Sequence, residues 1–265
     1  MSRDVNTSDK EMSFWDHLEV LRWSLFRVII VLLIFIVGCF IAMPHIFDSF
    51  VLGPTTSDFF LYRWLGSLGG HGGALMPDFG GEYKVDIINI NVATQFLTHI
   101  STSFWFALVL TFPYLIYELW KFVRPALFPN EKKNVRTAFI CGGGLFYVGC
   151  VIGYCIVFPL TFRFLTQYQI GDTVVNQISL NSYMSNFLML IFVMGLVFEM
   201  PMLAWLLSAL GILKKGFLRE YRRYAVVVLL VLAAIITPSG DPFTLSVVFL
   251  PLYLLYELSI VVVKE

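Results

Sequence analysis

Charge is scarce in this chain. Of 265 residues only 14% are Asp, Glu, Lys or Arg, against about 25% in an ordinary globular domain. Apolar residues make up 58% and aromatics 17%, so a soluble fold would leave too much apolar surface facing water. Cysteine is nearly absent. Cys39, Cys141, Cys150 and Cys155 all fall inside apolar runs, without metal-ligand spacing, and read as packing thiols. The sequence contains no Gly-x-x-x-x-Gly-Lys-Ser/Thr, so the chain is not its own ATPase, and no His-Glu-x-x-His or Gly-x-Ser-x-Gly. No catalytic residue, metal or other cofactor is therefore expected. Eighteen basic residues balance 18 acidic ones, which removes any general electrostatic case for nucleic acid. The chain begins polar and no small-residue cleavage site follows its first apolar run, so no cleavable leader is expected.

Long apolar runs are what the sequence does have. About 20 apolar residues cross a hydrocarbon core of about 30 Å. Six runs qualify as spans, at 25–43, 95–120, 137–158, 183–210, 224–237 and 243–260, which predicts an all-α, polytopic membrane bundle forming one domain over 1–265. Pro44 is expected to end the first span and Pro113 to kink the second. Gly142, Gly143 and Gly144 are expected to let the third pack closely on a neighbour. The fifth and sixth runs are short before Pro238 and Glu257. Either they thin the bilayer locally, or residues such as Ser259 and Val263 extend the last one to full length.

Cations are distributed unevenly. With both termini on one side, 15 of the 18 Lys and Arg fall there, and only Arg63, Lys84 and Arg163 fall on the other. The positive-inside rule then places both termini in the cytoplasm. Outside lies a long loop, 44–94, with a glycine-rich tip and an extended apolar piece at 85–92.

Three places carry polar chemistry near these spans. From Ser13, the apolar residues Phe14, Leu18, Leu21 and Leu25 recur at helical spacing, giving an amphipathic segment over 1–24 that runs into the first span. On its polar side Glu19 and Arg22 are three apart and can simply pair with each other. In the loop after the second span, Glu131 follows Asn130. It serves either as a first-turn carboxylate favoured by the helix dipole or as one wall of a site for a cationic ligand. Glu199, beside Pro201 in the fourth span, is expensive in hydrocarbon and should face the bundle interior or a wet cavity. Proton carrier, polar contact for a partner helix, and neutral hydrogen-bond donor are all open for it.

The motif His17-Leu-Glu-Val-Leu-Arg22, followed by a span, resembles the N-terminal signature of the TatC family, the core of twin-arginine protein translocases. The resemblance continues through Phe112-Pro-Tyr-Leu-Ile-Tyr-Glu-Leu-Trp-Lys-Phe-Val-Arg-Pro-Ala-Leu127 and Glu131-Lys-Lys133. It recurs in Leu145-Phe-Tyr-Val-Gly149, Phe158-Pro159, Phe198-Glu-Met-Pro201, and Ile236-Thr-Pro238 with Asp241. It covers nearly the whole chain in order.

The resemblance implies a glove-shaped bundle of six spans in the inner membrane, with the last two short. It implies a receptor for the twin-arginine signal peptides of folded precursors, assembling with single-span TatA-type and TatB-type partners and with further copies of itself, and driven by the proton-motive force. For the signal-peptide site it implies Glu131, with Phe122, Arg22 and Leu25 at matching positions. The family's N-terminal acid falls at Val20 here, so the neighbouring Glu19 is expected to contribute in part. Glu199 and Thr237 are expected as polar contacts for partner helices, and Pro54, Phe96, Pro113, Pro125, Pro201 and Asp241 match family positions. Ser24 stands at a commonly basic position and Leu245 where Gln is frequent. The rival reading from the residues alone is a proton-coupled small-molecule transporter with Glu199 as carrier; a minor one is an intramembrane enzyme.

Overall fold

The computed structural model describes residues 14–67, 83–124, 132–169, 171, 176–209, 211–237 and 239–263. Helix α1 runs unbroken from Phe14 to Ile46, so the amphipathic start and the first span form one rod. Pro44 lies inside α1 rather than ending it, and the chain continues through a π-helical segment, Phe47–Val51, into a 3-10 turn, Gly53–Thr55. A wide π turn is one way a helix absorbs a break in its regular hydrogen bonding near proline. Then follow α2 (Phe60–Ser67), β1 (Ile87–Ile88) and α3 (Thr94–Val123), which continues through Pro113. Helix α4 (Lys132–Ile152) passes through a second π segment, Gly153–Val157, into α5 (Phe158–Gln167). The third apolar stretch therefore outruns its expected end at 158: Pro159 sits in the first turn of α5, where proline lacks only a bond the helix does not need.

Strand β2 (Ile178–Ser179) pairs parallel with β1. Ser179 then caps α6 (Leu180–Val197), its hydroxyl accepting from the Ser182 amide at 3.3 Å. The chain turns at Phe198 and Glu199 before α7 (Met200–Ala209), followed by α8 (Lys215–Glu220), α9 (Arg222–Ile236) and α10 (Pro242–Val262).

Among the described residues, five apolar stretches are long enough to cross a membrane, namely Leu18–Thr55, Thr94–Val123, Thr137–Gln167, Leu180–Ala209 and Pro242–Val262. Helix α9, with 15 residues, is about 22 Å long and falls short of the hydrocarbon core. The last helix takes the longer of its two readings. It is 21 residues long and continues to Val262 past Glu257, where Arg222 of α9 meets that carboxylate at 2.6 Å and offsets its charge.

Glycine lets α4 and α6 approach. A Cβ on Gly149 would lie 2.6 Å from the Met194 carbonyl oxygen and 2.8 Å from Phe198 Cβ, and one on Gly195 would lie 2.7 Å from Cys150 Sγ. Gly142 presses on Glu199 and Met202, whereas Gly143 and Gly144 face open space and do not serve the contact expected of them. Packed apolar atoms and close backbone approach hold such helices together, because lipid provides little hydrophobic drive between them. Beside this seam, Phe158, Phe162, Tyr183 and Phe187 interlock edge to face with centroids 5.0–5.4 Å apart.

Over its described part, the long loop between α1 and α3 is pinned rather than loose. Arg163 of α5, 1% exposed, lies between the rings of Tyr62 and Tyr83 at 4.7 and 4.6 Å. The Tyr62 hydroxyl shares its hydrogen bonding between the carbonyls of Pro54 and Pro159. Burial pushes the Tyr83 phenol up to about 12, so it stays neutral and pairs with the Thr166 hydroxyl at 2.7 Å.

Replacing Gly149 with Ala is expected to destabilise the α4–α6 seam by about 1–3 kcal/mol through overpacking. Gly144→Ala, in open space, should stay within about 0.5 kcal/mol of the parent. Thermal unfolding of both variants in detergent measures the difference.

Candidate functional site

The sequence directs attention to the start of α1 and the end of α3, and one interaction joins them. Arg27 of α1 donates from Nε to Glu118 Oε1 at 2.9 Å and from Nη2 to Glu118 Oε2 at 2.7 Å, a two-pronged pair. Arg27 also donates to Ser24 Oγ at 2.9 Å, and the Tyr114 hydroxyl donates to Glu118 at 3.1 Å. The Glu118 side chain is 4% exposed and that of Arg27 37%, so the carboxylate is the desolvated partner. Sequence reasoning named neither as a site residue. A usable signal was present: Arg27 is the lone charge of the first apolar run, near its start, and Glu118 that of the second, near its end.

Because α1 leads away from this boundary and α3 returns to it, the pair fixes their register. Glu19 and Arg22 stand on α1 about two and one turns before Arg27, and Phe122 on α3 one turn beyond Glu118. Glu19 and Arg22 meet at 3.5 Å with side chains 62% and 60% exposed. So loose a surface pair contributes little and leaves both groups open to a ligand. The Arg22 guanidinium also lies 5.6 Å from the Trp23 ring centroid, and Leu25 is exposed. Phe122 is half-buried at the end of α3. Glu131 and Pro125 lie outside the described residues; the helices flanking them end at Val123 and resume at Lys132.

The polar groups expected in the membrane are buried. Glu199 is 6% exposed at the α6–α7 turn, where its amide donates to Leu196 and its carbonyl accepts from Leu203 at 2.9 Å. A Cβ on Gly142 would come within 2.8 Å of Glu199 Oε2, while Oε1 has no hydrogen-bond partner among the described residues. Thr237, 5% exposed, ends α9, its amide donating to Ala233 at 2.9 Å. Both face protein. Of the remaining matched positions, Pro201 is buried at the start of α7, Pro54 accepts from Tyr62, and Phe96 is exposed on α3. Asp241 caps α10, its Oδ1 accepting from the Thr244 amide at 2.7 Å and its Oδ2 bonded to Ser239 at 2.5 Å. Burial pushes the Asp241 carboxyl up, but these hydrogen bonds outweigh it and hold the group below its usual value.

Comparison with known proteins gives the family and the fold. A family model described as "Sec-independent protein translocase protein (TatC)" matches residues 16–251. The TatC protein of Blattabacterium sp. subsp. Periplaneta americana (strain BPLAN) is 34% identical over 257 residues, covering 97% of this chain and 96% of the relative. That of Carboxydothermus hydrogenoformans is 32% identical over 259 residues, covering 97% and 94%. Among solved structures, "Crystal Structure of Twin Arginine Translocase Receptor- TatC in DDM" superposes with a TM-score of 0.74 at 27% identity, over 94% of this chain and 100% of the other.

Two predictions concern these contacts. Arg27→Gln strands a buried carboxylate, whereas Glu118→Gln strands a cation that can reach water; the first should lower the melting temperature more, and the double variant should be milder than Arg27→Gln. Equal and additive losses would count against the pair. Asp241→Ala should cost about 1 kcal/mol through loss of the cap. A carboxyl held below its usual value stabilises the fold above its unfolded-state value and loses that contribution as pH falls through the folded one. Asp241→Asn should keep the cap and flatten this acid dependence. Melting curves between neutral and acid pH read both.

Proposed function

Because this chain belongs to the TatC family of Sec-independent protein translocase proteins, we propose that it is the receptor and core subunit of a twin-arginine translocase. In this reading it binds the signal peptides of folded precursors at the cytoplasmic face, crosses the inner membrane six times with both termini inside, and assembles with TatA-type and TatB-type single-span partners and with further copies of itself. It is a transport subunit and not an enzyme. The absence of a phosphate-binding loop fits transport driven by the proton-motive force.

The observation that supports this reading best is the Arg27–Glu118 pair. It holds the start of α1, with Glu19 and Arg22, beside the end of α3, with Phe122 and the approach to Glu131. Two consecutive guanidinium groups need two carboxylate acceptors, each able to pair in two prongs. Glu131 serves as the main acceptor and Glu19 as a partial one. Ion pairs at a wet surface are weak singly, so Phe122 and Leu25 add apolar contact beside them. Inside the membrane, Glu199 and Thr237 serve partner helices once α6, α7 and α9 part to admit them.

Binding of a fluorescent twin-arginine peptide to the purified protein tests the assignment. Glu131→Gln should weaken it about tenfold, equivalent to about 1.4 kcal/mol, and Glu19→Gln by less. A twin-lysine peptide should bind the parent more weakly because it cannot form the forked bonds. Unchanged binding in Glu131→Gln overturns the site.

A further inference from the structure

A second feature at the inner boundary belongs to none of these contacts. On α3 and its C-cap, Pro113, Ile116, Tyr117, Trp120 and Arg124 recur at spacings of three and four, and on α4 Phe139, Ile140, Gly143, Gly144 and Tyr147 do the same. The two faces enclose a groove of about 810 Å³. Trp120 and Phe139, with centroids 5.6 Å apart, form its wall near the boundary. At the deep end the Tyr147 hydroxyl donates to the Val109 carbonyl at 3.2 Å and ties α4 to α3. A Cβ on Gly143 or Gly144 would meet nothing within 4 Å, so these glycines keep space open instead of closing a helix contact.

Three properties specify what fits. Pro113 and Arg124 are 11 residues apart, about 16 Å along a helix, which is about half of a 30 Å hydrocarbon core and hence one leaflet deep. The lining is aromatic and aliphatic up to its mouth, where Arg124 stands exposed with Lys121 exposed three residues before it. No carboxylate lines the groove among the described residues, and the one acid of α3, Glu118, is turned to Arg27 of α1. A basic mouth above an apolar slot between spanning helices is the arrangement that receives an anionic headgroup with its chain below.

We propose that this groove is a binding site for an anionic phospholipid of the leaflet on the Arg124 side. The phosphate sits on the Arg124 guanidinium, and an acyl chain lies over Gly143 and Gly144 between Tyr117 and Ile140. The site does not depend on signal-peptide binding, and its test uses no peptide.

Native mass spectrometry of the purified full chain, with phosphatidylglycerol or phosphatidylcholine of identical chains added, reads lipid retention directly. The parent should retain one phosphatidylglycerol at least fivefold more strongly than phosphatidylcholine, and excess inorganic phosphate should not displace it. Arg124→Gln should make the two lipids equivalent, whereas Gly143→Leu should lower retention of both about fivefold by filling the slot. Gly144→Leu is the second groove-filling variant should Gly143→Leu fold poorly, with melting temperature as the check. A change on the exposed face of α9, Val227→Leu, should leave retention unaltered. Equal retention of both lipids by the parent, or phosphatidylglycerol retention untouched by either leucine variant, overturns the proposal. Displacement by phosphate alone would show a headgroup contact without a chain in the groove, and overturns it as well.

Discussion

Helix α1 depends on a single neighbour, and the contact that secures it is electrostatic. Only 6% of its apolar window is buried within the protein, and its many contacts with α3 make up most of what it touches. Apolar side chains on such a helix gain little by leaving lipid for protein, so packing alone defines its register weakly. Arg27 and Glu118 define it sharply, because a forked guanidinium–carboxylate pair tolerates neither sliding nor rotation. The desolvation such a pair incurs limits its net contribution to stability; its value here lies in specifying one alignment.

From that alignment the rest of the inner boundary follows. The start of α1 and the end of α3 are brought to one level. The remainder of the bundle is held differently. The α4–α6 seam uses glycine to bring backbones together, the region around α2 and α5 uses aromatic rings and the buried Arg163, and the α9–α10 hairpin uses Arg222 and Glu257 at its open end with Asp241 capping α10 at its turn. Each device puts a polar or small group where lipid alone would leave the arrangement ambiguous.

Five of the six expected runs were legible as spanning helices, because hydrocarbon demands about 20 apolar residues and tolerates few exceptions, whereas the run at 224–237 lies on the 15-residue α9. Their ends were less so. Pro44 and Pro159 resemble stops, yet both lie where a π segment or a first turn accommodates them. Glu257 also resembled a stop until its partner Arg222, 35 residues away, was known. Of the candidate site, the motif residues stood out, whereas Glu118 was hidden inside one of those motifs because its role is fixed by a residue 91 positions distant. Arg163, counted as an outward cation, proved to be the most enclosed charge described. Composition cannot distinguish Gly142, pressed on Glu199, from Gly143 and Gly144, which border empty space; only the neighbouring helices decide.

The two π segments face one another: Tyr154 stacks on Phe50 at 4.2 Å and donates to its carbonyl at 2.9 Å. A π turn accommodates roughly one residue more than a regular turn, and each residue of a helix subtends about 100°. Gly153–Val157 therefore acts as a phase shifter between α4 and α5. Loss of one residue within it would leave every later side chain on α5 pointing a quarter-turn or more away. Arg163 would swing from its ring sandwich toward acyl chains, and Phe158 and Phe162 would leave the interior with it. Homologous chains should thus tolerate hardly any change in the length of this stretch.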